Sequence, residues 1–190
     1  MKRSDEQLLC DVGKGDKKAF RELYELYSPC IFRLIRRMLA HRPADVEEVF
    51  QEAMVRVWKN AALFDPGKGK AKSWIYLVAS RHCLNWLESR NTRNQQSESE
   101  IHDSIPDHKQ QSPEEAACRS SESQRALQLL ACLPDEMRQV ITLRHLEDLS
   151  IEEIAEITQT PSGTVKSRIF YGLKKLRSFF FKENSHEQKT

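Results

Sequence analysis

LSIEEIAEITQTPSGTVKSRIFYGLKKLR, residues 149–177, is the stretch from which the fold can be read. Ser150 followed three residues later by Glu153 is a capping box, in which two orphan backbone donors are satisfied reciprocally, so a helix starts here. Ile151, Ile154, Ala155 and Ile157 supply its apolar face. Thr160 and Pro161 stop it, because the residue before a proline is pushed out of the helical region and Pro161 has no N–H to continue the ladder. Ser162 is placed to cap a second helix. There Val165, Ile169, Leu173, Leu176 and Phe180 recur at spacings of four, four, three and four, one buried stripe at the helical period with Gly172 on the same side. A short helix, a tight turn and a longer helix form the helix-turn-helix arrangement that lays its second helix in a DNA groove.

The face opposite that stripe carries Thr164, Ser167, Arg168, Tyr171, Lys174 and Lys175, and between residues 162 and 182 there are basic side chains, Lys166 among them, and no acidic one. Short donors near the helix start suit base edges, and cations along its length suit phosphates. A lone basic helix is more often just a solvated surface. The capped first helix, the Thr-Pro turn and the acid-free second helix together favour DNA binding.

Working outward, residues 124–148 supply the support on which this motif sits: Leu127, Leu129, Leu130 and Leu133, then Pro134 and Asp135 opening a helix with Met137, Val140, Ile141 and Leu143. Before it, residues 94–123 are dominated by Asn, Gln, Ser, Glu and Asp, which reads as a flexible acidic linker. At about 3.3 Å per residue it could span more than two DNA turns of about 34 Å each. The tail, residues 183–190, reads as disordered.

The first 93 residues read as helical throughout, since apolar residues recur at three and four. One helix ends at Gly13. Asp16 caps the next, which carries Phe20, Leu23, Tyr24, Tyr27, Ile31, Leu34, Ile35 and Met38 and should be kinked or interrupted at Pro29. Residues 45–60 give the clearest helix here, with Val46, Val49, Phe50, Ala53, Met54, Val57 and Trp58 inward. Outward stand Glu48, Gln51, Glu52 and Lys59 with Val55 in their midst, a pattern open to either a partner surface or a chance exposed aliphatic. Residues 64–72, FDPGKGKAK, form a Pro/Gly-punctuated loop with Lys68, Lys70 and Lys72. A further helix follows to about residue 90. There Trp74, Tyr76 and Trp86 stand near Arg81, the aromatic and cation mixture that can stack and neutralise single-stranded nucleic acid, although Trp74 and Trp86 read singly are core anchors.

Composition narrows the classes. The 190 residues are 39% hydrophobic and 31% charged, with a net charge of +2 and a pI near 8.3, so a basic patch here is offset by acids elsewhere. Five scattered cysteines without a C-x-x-C pair suit a reducing compartment. No run approaches a membrane span and MKRSDEQ is no signal peptide, so a soluble, cytoplasmic chain without membrane insertion is expected. A zinc site would need His82, Cys83, His102, His108 and Cys118, of which the first two are adjacent and diverge on a helix. No catalytic or P-loop pattern is present. The expectation is a non-enzyme with no metal and no cofactor.

Three blocks resemble one family in order and spacing: DVEEVFQEAMVRVWKN (residues 45–60), KSWIYLVASRHCLNWL (72–87) and LPDEMRQVITLRHLEDLSIEEIAEITQTPSGTVKSRI (133–169). They are similar to the sigma factors of bacterial RNA polymerase, within the short extracytoplasmic-function group of the sigma-70 family. The resemblance implies an all-α chain of two small helical domains: a sigma-2 bundle (1–93) and a sigma-4 helix-turn-helix (124–182), joined by the linker. It implies core RNA polymerase, promoter DNA and an anti-sigma factor as partners. Asp45, Glu48, Gln51, Glu52 and Val55 would dock on the polymerase. Lys68, Lys70, Lys72, Trp74, Tyr76, Arg81, Asn85 and Trp86 would meet the minus-ten element and capture an unstacked base. Thr164, Lys166, Ser167, Arg168, Tyr171, Lys174 and Lys175 would read or clamp the minus-thirty-five element. Tyr171 and Leu173 stand where the family often has arginine, Asn85 where aspartate is common, and Glu88 interrupts a usually basic run. The rival reading is a stand-alone helix-turn-helix regulator.

Overall fold

The computed structural model describes residues 3–97 and 121–187, and among them all regular structure is helical. Four helices precede the linker: α1 (Asp5–Gly13), α2 (Lys17–Met38), α3 (Val46–Asn60) and α4 (Ala71–Ser97). Four follow: α5 (Ser121–Ala131), α6 (Asp135–His145), α7 (Ile151–Thr158) and α8 (Ser162–Glu187). The expected all-α class with two helical domains is what is found. His102, His108 and Cys118 lie outside the described residues.

Local chemistry explains the starts. Ser4 and Gln7 form a capping box on α1, and the Asp16 carboxylate accepts from the backbone N–H groups of Lys18 and Ala19 to cap α2. α2 runs unbroken through Pro29, so of the expected kink or interruption the interruption does not occur. Pro29 is exposed, so the carbonyl it leaves free can meet water, while the inward row Leu23, Tyr27, Ile31, Leu34, Ile35 and Met38 continues undisturbed. α4 and α8 both run further than their sequence reading. Residues 91–97 and 183–187 contain neither Gly nor Pro, so nothing in them forbids another turn.

The first core lies among α1 to α4, where Leu9, Leu23, Ile31, Val49, Val57 and Ile75 are fully buried. It does not stop at the domain boundary. Val140, Leu143, Leu149, Ile154, Ile157 and Val165 join the same apolar cluster, as α6 packs on α2 and α7 packs on α4. A separate small cluster of Leu130, Leu133 and Ile141 sits under α5, with Leu176 of α8 against it. Burying one such leucine contributes roughly 1.5–3 kcal/mol. The second domain therefore leans on the first for much of its burial, and the two bodies drawn apart by the sequence reading lie together.

Candidate polymerase and nucleic-acid interfaces

α7 and α8 form the expected motif, with details that differ. The Ser150 hydroxyl accepts from the Glu153 N–H at 3.1 Å, while the Glu153 carboxylate accepts from the Ser150 N–H at 2.9 Å. That backbone hydrogen bond, more than the opposing burial, holds the Glu153 carboxyl below its usual range. Gln159 rather than Pro161 ends α7: it sits in the left-handed region at φ 52°, and the Thr160 N–H returns to the Ala155 carbonyl at 3.1 Å. Ser162 is the first residue of α8 rather than its cap, and the Val165 N–H donates to the Pro161 carbonyl.

The buried line of α8 is Val165, Ile169, Gly172 and Leu176, not the stripe drawn through Leu173 and Phe180, both of which are exposed. Gly172 decides this. A Cβ there would lie 2.5 Å from Ile141 Cδ1, so α8 crosses α6 at a position with no side chain. Rotating the inward line this way turns Phe170 and Leu173 out beside Ile151, Ile169 and the cations Arg144 and Lys166 as a shallow apolar groove. The sequence reading missed that surface because spacings of three and four fit two neighbouring stripes equally well.

The side of α8 expected to face DNA keeps most of its members exposed. Lys166, Ser167, Tyr171, Lys174 and Lys175 are exposed and Thr164 is half-buried. Ser167 donates its hydroxyl to the Thr164 carbonyl at 2.9 Å, which leaves its lone pairs outward. Tyr171 stands edge-on to Phe170, centroids 5.3 Å apart. Arg168 is different: its guanidinium is paired with Glu136 of α6, so base contact must compete with that carboxylate.

On α3, Glu48, Gln51, Glu52 and Val55 share the outward face, and Val55 is 48% exposed. Glu52 Oε2 lies 3.1 Å from Nε2 of buried His82 on α4. Desolvation, with Arg56 nearby, keeps that imidazole below its usual value despite the carboxylate. Asp45 at the head of α3 is half-buried and faces Arg90 at 3.8 Å, so it is tied back to α4.

The lysine loop has a defined shape. Asp65 accepts from the Gly67 N–H at 2.9 Å, the Lys68 N–H closes a turn on the Asp65 carbonyl, and Glu6 of α1 accepts from the Ala71 N–H at the start of α4. Lys68 and Lys70 are exposed on it. Phe64 packs on Trp74 with centroids 5.9 Å apart, and Leu63, 76% exposed, stands next to them in a cleft that also holds Lys68, Lys70 and Glu156. Leu63 was not legible as a site residue, since a single leucine before a loop carries no signal.

The expected minus-ten residues of α4 do not share a face. Trp74, Arg81 and Asn85 fall at helical spacings of seven and four on one side, with Arg81 and Asn85 exposed. Lys72 and Tyr76 fall on the other side, where Lys72 Nζ lies 5.8 Å over the Tyr76 ring. Tyr76 is 1% exposed and donates its hydroxyl to Glu147 of the second domain at 2.9 Å, so it is a packing residue and is not available to DNA here. Trp86 is half-buried between Arg90 (4.9 Å) and Arg42 (5.9 Å). Cys83 points into the core, where burial pushes its thiol up to about 12, far from any metal-binding thiolate.

Comparison with known proteins agrees with this geometry. Residues 23–93 match Sigma-70 region 2, and residues 123–176 match Sigma-70, region 4. The RNA polymerase sigma-H factor of Pseudomonas aeruginosa is 35% identical over 172 residues, 87% of this chain and 88% of that protein. The ECF RNA polymerase sigma-E factor of Escherichia coli is 35% identical over 173 residues, covering 88% and 89% of the two chains. Among solved structures, the sigma factor RpoE of Bartonella quintana, in complex with the anti-sigma factor NepR, has a TM-score of 0.69 at 21% identity. That match covers 86% of this chain and 97% of that one, and it shows a shared fold. With two family regions in order and relatives at this identity along most of its length, the chain belongs to the extracytoplasmic-function group of the sigma-70 family.

Proposed function

We propose that the chain divides the work of a sigma factor among three surfaces. As a family member it binds core RNA polymerase, directs it to promoters and assists DNA opening. The outward face of α3, with Glu48, Gln51, Glu52 and Val55, meets the polymerase. The lysine loop, with Trp74, Arg81 and Asn85 on α4, meets the single-stranded minus-ten element. The outer face of α8 grips the minus-thirty-five duplex, where Lys166, Lys174 and Lys175 bind phosphate and Thr164, Ser167, Arg168 and Tyr171 approach bases. The domains divide at the linker.

The observation that carries this reading is Val55, exposed at the centre of an acidic and amide face. A stand-alone helix-turn-helix regulator has no use for such a face. A pull-down against core polymerase tests it: Glu48→Lys with Glu52→Lys should abolish retention while the chain keeps its helical content by circular dichroism. Retention of that variant at the level of the parent chain would remove α3 from the interface.

Such a factor acts in the cytoplasm, without catalysis of its own and in a stress or envelope response. An anti-sigma factor restrains it. The last point extends to this chain what is seen with the Bartonella protein.

A further inference from the structure

We propose that His82, buried on α4, is a positioning residue for the polymerase-docking face, its Nε2–H fixing the Glu52 carboxylate in the orientation that a cation of the polymerase meets. The inference rests on reading the outward face of α3 as that docking face.

Glu52 lies on that face one turn after Glu48 and beside Val55. An exposed glutamate keeps several rotamers, and two neighbours on α3 act on this one in different directions. Glu48, four residues back, repels it, and Arg56, four residues on, attracts it. Both are exposed, so each acts through water and weakly. The third neighbour is different. The His82 side chain is 5% exposed, against 51% for Glu52, and its Nε2 lies 3.1 Å from Glu52 Oε2.

Desolvation and, after it, Arg56 hold the imidazole below its ordinary value, so the ring is neutral at pH 7. A neutral ring carries one N–H, and the facing carboxylate, which only accepts, assigns it to Nε2. The N–H and Oε2 are close but out of line, and buried Nε2 has no other acceptor among the described residues. A buried donor without an aligned acceptor costs free energy, which is recovered when Glu52 turns toward it. Of the orientations open to the carboxylate, one is thereby selected.

A carboxylate has two oxygens and about four lone-pair sites, so a hold on Oε2 leaves Glu52 able to accept from a partner. The other acid tied to α4 offers a contrast. Asp45 lies 3.8 Å from Arg90, whose side chain is 41% exposed, a contact too long and too wet to fix a rotamer. His82 therefore removes the need to order one rotamer-rich side chain on docking, an effect of about two- to tenfold in affinity.

Equilibrium binding of the full chain to core RNA polymerase tests this, in a cycle with Glu52. His82→Leu removes the donor and should weaken binding about two- to tenfold. His82→Gln, whose amide nitrogen reaches the place of Nε2, should restore it. In the Glu52→Ala background, His82→Leu should change binding by under about twofold, because the group it positions is already gone. Each variant should keep the parent's affinity for a minus-thirty-five duplex, which shows that the chain is folded. If leucine prevents folding, His82→Asn takes its place, since its shorter amide stays polar but falls short of Glu52. Parent-like binding by His82→Leu, the same loss with and without Glu52, or no rescue by glutamine overturns the positioning role while the docking face stands. Parent-like binding by Glu52→Ala overturns the docking reading of Glu52, and the role of His82 with it.

Discussion

The outer face of α8 and the lysine loop are both cationic surfaces read as DNA contacts, yet they differ in what stands over them. Lys174 and Lys175 are exposed on a helix that carries no acidic residue from 162 to 182. Lys70 faces Glu153, and the loop backbone at Gly69 faces Glu156. The same chemistry therefore stands open in one domain and beside carboxylates in the other. Sequence pattern reports which residue types can bind phosphate, and the fold decides which of them have a counter-charge at hand.

The largest expected effect comes from breaking the tie that seats one domain on the other. Arg138→Ala leaves buried carbonyls of Leu130, Leu133 and Met38 without their donor and should cost about 3–5 kcal/mol in thermal or denaturant unfolding. A loss well under that would mean that the domains stand independently. Next, Arg168→Ala should relax promoter discrimination at one base position by about 1–3 kcal/mol, read by footprinting on point-substituted promoters. An unchanged pattern would mean that the Glu136 pair never releases Arg168.

Smaller changes sharpen the contrast between the two cationic surfaces. Ser150→Ala removes one half of the capping box and should lower stability by about 1 kcal/mol. Glu153 adds a pH signature. Its folded pKa lies below the ordinary value of 4.5, so its contribution is present above that pH and is lost as the pH falls through the depressed value. Melting curves taken below pH 4.5 should therefore show the parent losing stability that Glu153→Gln, which has no such carboxylate, does not lose. Smallest is the salt dependence of duplex binding: Lys174→Ala should flatten the log–log slope by about one unit, whereas Lys70→Ala in the free chain should leave it unchanged. Equal effects of the two would erase the distinction drawn above.

Much of this was legible because it is local. The Ser150–Glu153 box, the Asp16 cap and the outward face of α3 each depend on residues within a few positions of one another, and periodicity resolves them. Leu173 was misplaced because its spacing fits a stripe, whereas α8 is rotated by the close approach at Gly172, which no periodicity reports. Tyr76 looked like a nucleic-acid aromatic beside cations, but its hydroxyl is held by a glutamate 71 positions away. The Arg37–Glu147 pair spans 110 positions. Contacts of that range depend on how two helical bodies meet, and neither partner has any local signature.

The central claim, that three surfaces on one chain join a polymerase to a promoter, is met most directly by transcription in a purified system with transcript starts mapped by sequencing. Core enzyme plus this chain should initiate at defined positions preceded by a common pair of elements. Glu48→Lys with Glu52→Lys should abolish those starts. Starts no more selective than those of core enzyme alone, or selective starts indifferent to the α3 variant, would contradict the account.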